Sequence, residues 1–430
     1  MTRFARPATL RRELERSLPQ RPFTVRFWDG AELASTEPGG PVFTLRSPAA
    51  IAHVLRAPGQ LGIGRAYVAG ELDVDDLDGL IELLNTFSAP SLDASARARL
   101  ALAAVRACGL SAPPPIPQSE LRPRGRRHSR ERDARAVRHH YDVSNEFFGL
   151  FLDESMTYSC AIFSRGAQTL EEAQEAKREL ICRKLALAPG ERLLDVGCGW
   201  GSLVIHAARH HGVQAVGITP SPAQATLARE RVREAGLTDR VEIRQADYRD
   251  LAGERFDAIA SVGMVEHVGA VQIDDYAARL AGLLGTQGRL LNHGIARLRH
   301  SDPEAGPFSE RYVFPDAAPL HLSRILTALE RAGFVTRHAE GFAEDYAQTL
   351  EHWAERLDAN RARAEALVGP ERIRIFRLYL RAARNGFRSG FLSIYQVLCQ
   401  RPATILSGPA IANEQPAWSV AAESAVAAGR

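Results

Sequence analysis

The sequence predicts an α/β fold in which a doubly wound, mostly parallel sheet follows a smaller α+β N-terminal domain. Two observations support this prediction. After residue 170, short apolar strands alternate with helical segments, whereas residues 20–110 mix strand-like and helical runs without regular alternation. Strands separated by helices form parallel sheets with helices on both faces, and such sheets bind ligands at the carboxyl ends of their strands.

The composition is typical of a soluble protein with two domains of common size. The 430 residues are 45% hydrophobic and 24% charged, and the net charge of +3 indicates no particular partner. No apolar run approaches the roughly 18–20 residues that span a bilayer. The first residues include arginines but no apolar signal region. We therefore expect a cytoplasmic protein.

The pattern of cysteines and histidines predicts no metal site. The cysteines are odd in number and form no C-x-x-C pair: Cys108, Cys160, Cys182, Cys198 and Cys399. This argues against both a disulfide framework and a zinc site. His139 and His140 have no cysteine or carboxylate cluster at ligand spacing.

The chain divides into four predicted regions: an N-terminal α+β domain (1–110), a proline- and arginine-rich linker (111–136), an α/β domain (137–402) and a mobile tail (403–430). Positions 121–140 hold eight arginines against two acids. Such a linker is either a solvated connector or a contact for anionic lipid, where each basic residue contributes on the order of 1 kcal/mol. Nucleic acid is disfavoured because no aromatic residues interleave the arginines.

The elements of the α/β domain follow in order. "EEAQEAKRELICRKLAL" is helical and is closed by Pro189-Gly190; "ERLLDVGCGWGSLVIHAARHHG" is a strand, a glycine loop and a helix. "VQAVGITPSPAQATLARERVREAG" repeats that order. "VEIRQADYRDL", "FDAIASVGMVEHVG" and "GRLLNHGIA" are further strands with their loops.

The glycine loop indicates a nucleotide-like cofactor. In "DVGCGWG" three glycines lie directly after a strand and before a helix, where the backbone can approach a ligand and the helix N-terminus supplies donors. A dinucleotide site uses similar glycines, but G-x-G-x-x-G spacing is missing here. The second strand ends at Thr219 and Gln224 instead of an acid for a ribose. With Asp247 and Tyr248 after the third strand, these residues favour S-adenosylmethionine over NAD.

Several long motifs resemble the cyclopropane-fatty-acid synthases and the related mycolic acid cyclopropane synthases. They are "HHYDVSNEFFGLFLDESMTYSCAIF", "LLDVGCGWG", "VGITPSPAQ", "ADYRDL", "SVGMVEHVG", "RYVFPD" and "EDYAQTLEHW", and they cover roughly residues 137–400. The resemblance implies a class I S-adenosylmethionine methyltransferase fold. It also implies transfer of the methyl carbon to the double bond of an unsaturated phospholipid acyl chain. The cofactor residues it implies are Tyr158, Ser159, Gly197, Gly199, Trp200, Thr219, Gln224, Asp247 and Tyr248.

The resemblance also implies a bound bicarbonate as the base. Closing a cyclopropane ring requires loss of a proton from the newly added methyl group. The residues implied as bicarbonate holders are Cys160, Glu266, His293, the backbone of Ile295, and Tyr346. Taken singly, Cys160 could be a small buried hydrophobe, His293 a core histidine, and Tyr346 a helix cap. Asn292 departs from the family pattern, which more often has an apolar residue before the histidine. His267 is interpreted as a structural or outer residue.

Alternatives remain open at this stage. The same cation chemistry could give a methylene- or methyl-branched fatty acid of the 10-methyl stearate type. A lipid-binding protein with a vestigial cofactor site, or a methyltransferase for a polar small molecule, are further options. The stretch 372–398 resembles an interfacial helix, or its apolar face closes an acyl-chain pocket and leaves its arginines in water. We expect peripheral association with the anionic inner face of the plasma membrane, a lipid role for the N-terminal domain, and compatibility with a homodimer.

Overall fold

The structure is a computed structural model that describes residues 7–109, 114–122, 125, 127–133, 135, 144–302 and 306–403. His139, His140 and the predicted tail beyond residue 403 lie outside the described residues.

The N-terminal part is a small α+β unit. Its sheet has the order β2-β1-β3-β4, and its core includes Leu10, Phe27 and Tyr67. Its elements are α1 (Ala8–Ser17), β1 (Thr24–Arg26), β2 (Glu32–Leu33), β3 (Val42–Leu45), α2 (Ala49–Arg56), α3 (Gln60–Val68), β4 (Leu72–Val74), α4 (Leu77–Thr86) and α5 (Ala94–Cys108).

The C-terminal part contains the large sheet. Its elements are α6 (Asn145–Gly149), α7 (Leu170–Lys184), β5 (Arg192–Val196), α8 (Ser202–His211), β6 (Gln214–Thr219), α9 (Pro222–Glu234), β7 (Val241–Gln245), β8 (Phe256–Val262), α10 (Ile273–Leu283), β9 (Leu284–Arg297), α11 (Pro307–Tyr312), β10 (Leu320–His321), α12 (Leu322–Arg331), β11 (Val335–Gly341), α13 (Ala343–Ala359), α14 (Arg361–Arg388) and β12 (Leu392–Gln400).

The large sheet has the order β11-β12-β9-β8-β5-β6-β7, with β10 beside β9. Strands β5 to β9 are parallel, while β12 runs antiparallel to β9, and β11 antiparallel to β12. Buried residues of α7, α8 and α9 pack on one face, and those of α10 and α12 pack on the other. The predicted fold class, a doubly wound and mostly parallel sheet, is therefore confirmed.

Local sequence explains the elements that surround the glycine loop. Helix α7 begins with a capping box: Thr169 Oγ1 accepts from the N–H of Glu172, and the Glu172 carboxylate accepts from the N–H of Thr169. In β5, Leu193 and Leu194 are fully buried on opposite faces of the sheet, because successive side chains of a strand alternate. Gly201 then caps α8 in a left-handed conformation.

Helix α14 docks the N-terminal part onto the large domain, which corrects the interpretation of residues 372–398. The helix is kinked at Gly369 and ends at Arg388, and the chain continues as strand β12. Two of its arginines do not stay in water: Arg374 Nη2 lies 3.1 Å from Asp73 Oδ1, and Arg381 Nε lies 2.9 Å from Asp78 Oδ2. The face that carries them therefore packs on protein, whereas the expectation that the apolar face of this helix lines a pocket is confirmed by Tyr379, Ala383 and Phe387. Among the described residues, no helix combines the length and apolar composition needed to cross a bilayer.

Three linker arginines that the structure describes contact carboxylates of the large domain. Arg132 makes two hydrogen bonds of 2.5 Å to Asp316, and Arg127 lies 3.5 Å from the same carboxylate. Arg130 forms an ion pair with Asp250. These contacts hold this part of the linker against the large domain.

Candidate functional site

A first cavity lies over the glycine loop at the carboxyl ends of β5, β6 and β8. All nine residues predicted for the cofactor line it: Tyr158, Ser159, Gly197, Gly199, Trp200, Thr219, Gln224, Asp247 and Tyr248. The carboxyl edge of a parallel sheet is where this fold class binds its ligands. The structure therefore brings these predicted residues together, although they come from four separate stretches of sequence.

The glycines of the loop are required by backbone geometry. Gly197 has a φ of 84° and Gly199 a φ of 54°, which is the left-handed region that side chains with a Cβ disfavour. A Cβ at Gly199 would meet no atom within 4 Å and would project into open space. The loop thus keeps its backbone accessible beside the cavity.

Polar side chains at the ends of β6 and β7 are already oriented by their neighbours. Thr219 Oγ1 donates to Gln224 Oε1 at 2.7 Å, so the amide nitrogen of Gln224 takes no part in this hydrogen bond. Asp247 accepts from Arg249 Nη2 at 2.6 Å. Burial opposes ionisation of Asp247, but the hydrogen bonds from Arg249 outweigh it and lower its pKa. The carboxylate therefore remains an acceptor at the edge of the cavity.

Trp200 has mainly a packing role. Its side chain is almost fully buried, its ring lies 5.2 Å from that of Phe148, and its Nε1 donates to Asn145 Oδ1 at 2.8 Å. These contacts connect α6 to the glycine loop. Gly217 of β6 lies against Cys198, since a Cβ at Gly217 would be only 3.0 Å from Cys198 Cβ. This close packing leaves little room for a larger side chain at position 198.

Two buried charged residues of the first cavity were missed by the sequence analysis. Lys177 Nζ donates to Ser159 Oγ at 2.6 Å. Burial, with the charge of Arg178, lowers the pKa of Lys177 to about 7. Burial raises the pKa of Asp195 to about 7, against the charge of Lys177, and Asp195 Oδ1 has no partner among the described residues. One signal for Lys177 was its position in α7. It lies three residues after Gln174, which is fully buried, and residues three apart lie on the same face of a helix.

A second, largely apolar cavity shares a wall with the first. The shared wall consists of Tyr158, Ser159, Val262, Gly263 and His267. The rest of the second cavity is lined mainly by apolar side chains of α11, α13, α14 and β12, together with Gln60 of α3. His267, interpreted as an outer residue, thus lines both cavities, and burial lowers its pKa to about 4.

Two residues that line this second cavity each carry a buried polar atom without a partner. Glu266 Oε2 and His293 Nε2 make no hydrogen bond to any described residue, and both residues line the cavity. Burial raises the pKa of Glu266 to about 7, while the N–H of Ile295, which donates to Glu266 Oε1 at 2.8 Å, opposes that shift. A buried polar group without a partner costs about 1–3 kcal/mol, so this pair points to a polar ligand.

The tautomer of His293 follows from its neighbours. Lys184 Nζ donates to Gln396 Oε1 at 2.7 Å, which fixes the orientation of that amide. Gln396 Nε2 lies 3.4 Å from His293 Nδ1, and because an amide nitrogen only donates, Nδ1 is the acceptor. Burial lowers the pKa of His293 well below its ordinary value. The neutral imidazole therefore carries its proton on Nε2, which suits it to bind an anion.

The other predicted bicarbonate holders fall into different positions. Tyr346 and Ile295 line the second cavity with Glu266 and His293, but the Ile295 N–H is already bonded to Glu266. Cys160 is fully buried and is not among the residues that line either cavity; its Sγ lies 3.2 Å from the carbonyl oxygen of Ala161 and 3.7 Å from that of Phe342. Its role as a bicarbonate holder stays a prediction.

The unusual Asn292 has a local explanation. Its side chain is buried beside Tyr276, whose hydroxyl lies 3.0 Å from Asn292 Oδ1 and 2.6 Å from Ser261 Oγ. The departure from the family pattern is therefore accommodated by a small polar network between β8, β9 and α10, away from the His293 side chain.

Comparisons with known proteins agree with this geometry. The family model described as mycolic acid cyclopropane synthetase matches residues 128–397. A probable fatty acid methyltransferase of Mycobacterium tuberculosis is 40% identical over 393 residues, 89% of this chain and 92% of that protein. The cyclopropane-fatty-acyl-phospholipid synthase of Escherichia coli is 34% identical over 344 residues, 80% of this chain and 84% of that protein.

A solved structure resembles the large domain. The mycolic acid cyclopropane synthase CmaA1, complexed with SAH and CTAB, has a TM-score of 0.60 and 33% sequence identity, and the similarity covers 62% of this chain and 98% of that one. The family model spans more than half of the chain, and the relatives align along most of their lengths. The chain therefore belongs to the mycolic acid cyclopropane synthetase family and is an S-adenosylmethionine-dependent methyltransferase that modifies lipid acyl chains.

Proposed function

We propose that the protein transfers the methyl carbon of S-adenosylmethionine to the double bond of an unsaturated phospholipid acyl chain and closes a cyclopropane ring. The observation that carries this proposal is the shared wall of the two cavities at Tyr158, Ser159 and Gly263. A methyl donor in the first cavity and an acyl chain in the second would meet there. The phospholipid form of the substrate is supported by the name of the Escherichia coli relative.

The chemistry requires an electrophilic methyl group, which S-adenosylmethionine supplies when bound. Its transfer to the alkene would release S-adenosylhomocysteine and leave a cation on the acyl chain. Closing the ring would then require a base beside the acyl chain to take a proton from the new methyl group. Apolar walls exclude water, which would otherwise trap the cation.

Glu266 and His293 suit the proton-removal step. Their unpartnered atoms fit a small oxyacid such as bicarbonate, with His293 Nε2–H donating and Glu266 accepting or donating according to its protonation. Bicarbonate bound there would act as the base in place of a protein side chain. A side chain alkylated by the cation would stay modified, whereas bicarbonate can leave the site. A pKa of about 7 allows Glu266 to take up or release a proton near neutral pH. Tyr346 and Ile295 would complete the surroundings.

The decisive experiment identifies the acyl product. Purified protein is incubated with labelled S-adenosylmethionine and vesicles of unsaturated phospholipid, and the acyl chains are analysed by mass spectrometry and NMR. We expect a cyclopropane. Glu266→Gln should still bind S-adenosylmethionine but form the ring about 100 to 10,000 times more slowly, and depletion of dissolved carbonate should slow the unchanged protein reversibly.

Other outcomes would redirect the proposal. A methylene- or methyl-branched product from the unchanged protein would replace ring closure with the branching reaction. Normal rates both for Glu266→Gln and after carbonate depletion would remove the base assignment. Labelling of free fatty acid but not of phospholipid would leave the reaction type intact and change the substrate class.

A further inference from the structure

A cluster of metal-binding side chains joins α7 to α8 apart from the two cavities. Cys182, His206 and His211 offer one sulfur and two nitrogen atoms that all lie within 4.8 Å of one another. Cys182 is fully buried, and His206 is largely buried. The sequence does not reveal this cluster, because strand β5 and the glycine loop separate the cysteine from the histidines.

Glu179 lies beside this cluster and is hydrogen-bonded to both histidines. Its Oε2 lies 3.2 Å from His206 Nε2 and 3.0 Å from His211 Nε2. Its Oε1 accepts from Arg183 Nε at 2.6 Å, so the carboxylate is held with one oxygen directed at both imidazoles. Outer partners of this kind commonly orient the ligands of a metal ion.

The three donors are close enough to share one ion. Zinc bonds of about 2.0–2.3 Å place neighbouring ligand atoms about 3.3–3.8 Å apart, and one ligand atom each of Cys182, His206 and His211 lies within 4.8 Å of the others. An ion would therefore need only small side-chain movements, while Glu179 orients the two imidazoles through its hydrogen bonds of 3.2 Å and 3.0 Å. The side chains of His211 and Glu179 are 17% and 31% exposed, which gives solvent a route to the cluster.

We propose that Cys182, His206 and His211 bind one zinc ion and that Glu179 orients the two histidines. Mixed sulfur and nitrogen donors suit zinc, and the fourth position of a tetrahedral ion is left to water or to a turned Glu179 carboxylate. The ion would fasten α7, which carries Lys177 into the cofactor cavity, to α8, which begins at the glycine loop. The proposal concerns stability and is independent of the reaction proposed above.

The test uses the full chain without a histidine tag. Zinc content is measured by mass spectrometry after dialysis against a weak chelator, and cobalt is substituted to detect a thiolate-to-cobalt charge-transfer band. We expect about one zinc per chain, a band that Cys182→Ser abolishes, and a rise in Tm on adding zinc. His211→Ala should weaken zinc binding at least about 100-fold, since losing even an outer partner costs about 10–100-fold.

His210→Ala is the matched control. His210 lies on the same helix with its ring 4.6 Å from that of His206, but it is exposed and outside the cluster. Zinc binding by this variant should equal that of the unchanged protein. Less than about 0.1 zinc per chain, no cobalt charge-transfer band, or equal losses in His210→Ala and His211→Ala would each overturn the proposal and leave only imidazole–carboxylate hydrogen bonds. Should Cys182→Ser fail to fold, Glu179→Gln and His211→Ala decide the same question.

Discussion

Burial raises the pKa of Glu266 from its ordinary 4.5 to about 7, and this shift affects stability as well as chemistry. Between these two values the folded protein keeps the proton that the unfolded chain has lost. The folded state then binds more protons, so its stability falls as pH rises through this window. The full shift corresponds to about 3 kcal/mol, at 1.36 kcal/mol for each pKa unit.

Glu266→Gln should remove this pH dependence. At pH 5 both proteins carry a neutral group, so their Tm values should be similar. At pH 8 the unchanged protein holds a buried carboxylate, and the variant should be more stable by up to about 3 kcal/mol. The difference between the two Tm values, measured from pH 5 to 8, isolates Glu266 from other titrating groups. A difference that does not change with pH would contradict a raised pKa.

Gly199 offers a second test at the residue scale. Gly199→Ala adds a Cβ beside the cofactor cavity and should weaken binding of S-adenosylmethionine at least about tenfold, measured by calorimetry, because the backbone can no longer be approached closely. Gly236→Ala is the control, since Gly236 also has a positive φ (68°) and open space around its Cβ but lies after α9, away from the cavity. Both variants carry similar backbone strain, so equal affinities would exclude the close approach.

Residue types and spacing predicted most of the residues that line the first cavity together, because these residues follow strands that meet at one edge of a parallel sheet. Lys177 was missed because it reaches the cavity from the middle of a helix, where a lysine ordinarily faces solvent. The role of Cys160 as a bicarbonate holder was assigned from resemblance alone. Its thiol faces backbone carbonyls, a detail that depends on the path of the neighbouring loop and has no local sequence signal.

At the scale of elements, alternating strands and helices predicted a doubly wound, mostly parallel sheet, while the order of its strands and the surroundings of α14 were not predictable. The same periodicity describes a helix that faces lipid, water or another domain. The acids that pair with its arginines, Asp73 and Asp78, lie about 300 positions earlier in the chain. Only tertiary structure identifies such partners.

The pairing of α14 with the N-terminal part can be tested at Arg381, which binds both Asp78 and Asp358. Arg381→Met should lower the free energy of unfolding by about 1–3 kcal/mol, the lower end reflecting solvent screening at half-exposed Asp78. It should also speed limited proteolysis. Arg388 lies on the same helix as Arg381 and forms an exposed ion pair with Glu351 of α13. Arg388→Met should therefore change the free energy of unfolding and the rate of proteolysis little. Equal effects of the two substitutions would show that the overall charge of α14, and not its docking, determines stability.

For the whole molecule, exposed apolar side chains of the N-terminal part offer a surface for lipid. Ile63 of α3 is 48% exposed and lies three residues from Gln60, which lines the second cavity. Leu55 at the end of α2 is also exposed. We therefore propose that this surface, together with linker basic residues, contacts the membrane from which the acyl chain is drawn.

The corresponding double variant, Leu55→Ser with Ile63→Ser, should bind anionic phospholipid vesicles at least about tenfold more weakly, because inserting one apolar side chain contributes about 1.5–3 kcal/mol. Co-sedimentation measures this binding. Val335→Ser, at an exposed apolar position on β11 at the edge of the sheet, is the control. Binding by the unchanged protein should decline with salt, since attraction between charges is screened over about 10 Å at 0.1 M. Undiminished binding by the double variant would place the contact elsewhere.

The second cavity is closed by residues from both parts of the chain, with Gln60 of α3 facing Gly306 of the large domain. An acyl chain that contacts Gln60 gains that contact only while the N-terminal part is docked. Binding and docking are then coupled with the same factor in both directions: a chain that prefers the docked state tenfold also shifts docking tenfold. A lipid too short to reach α3 would bind without this gain. The length of the acyl chain would therefore determine how strongly lipid binding favours docking of the N-terminal part.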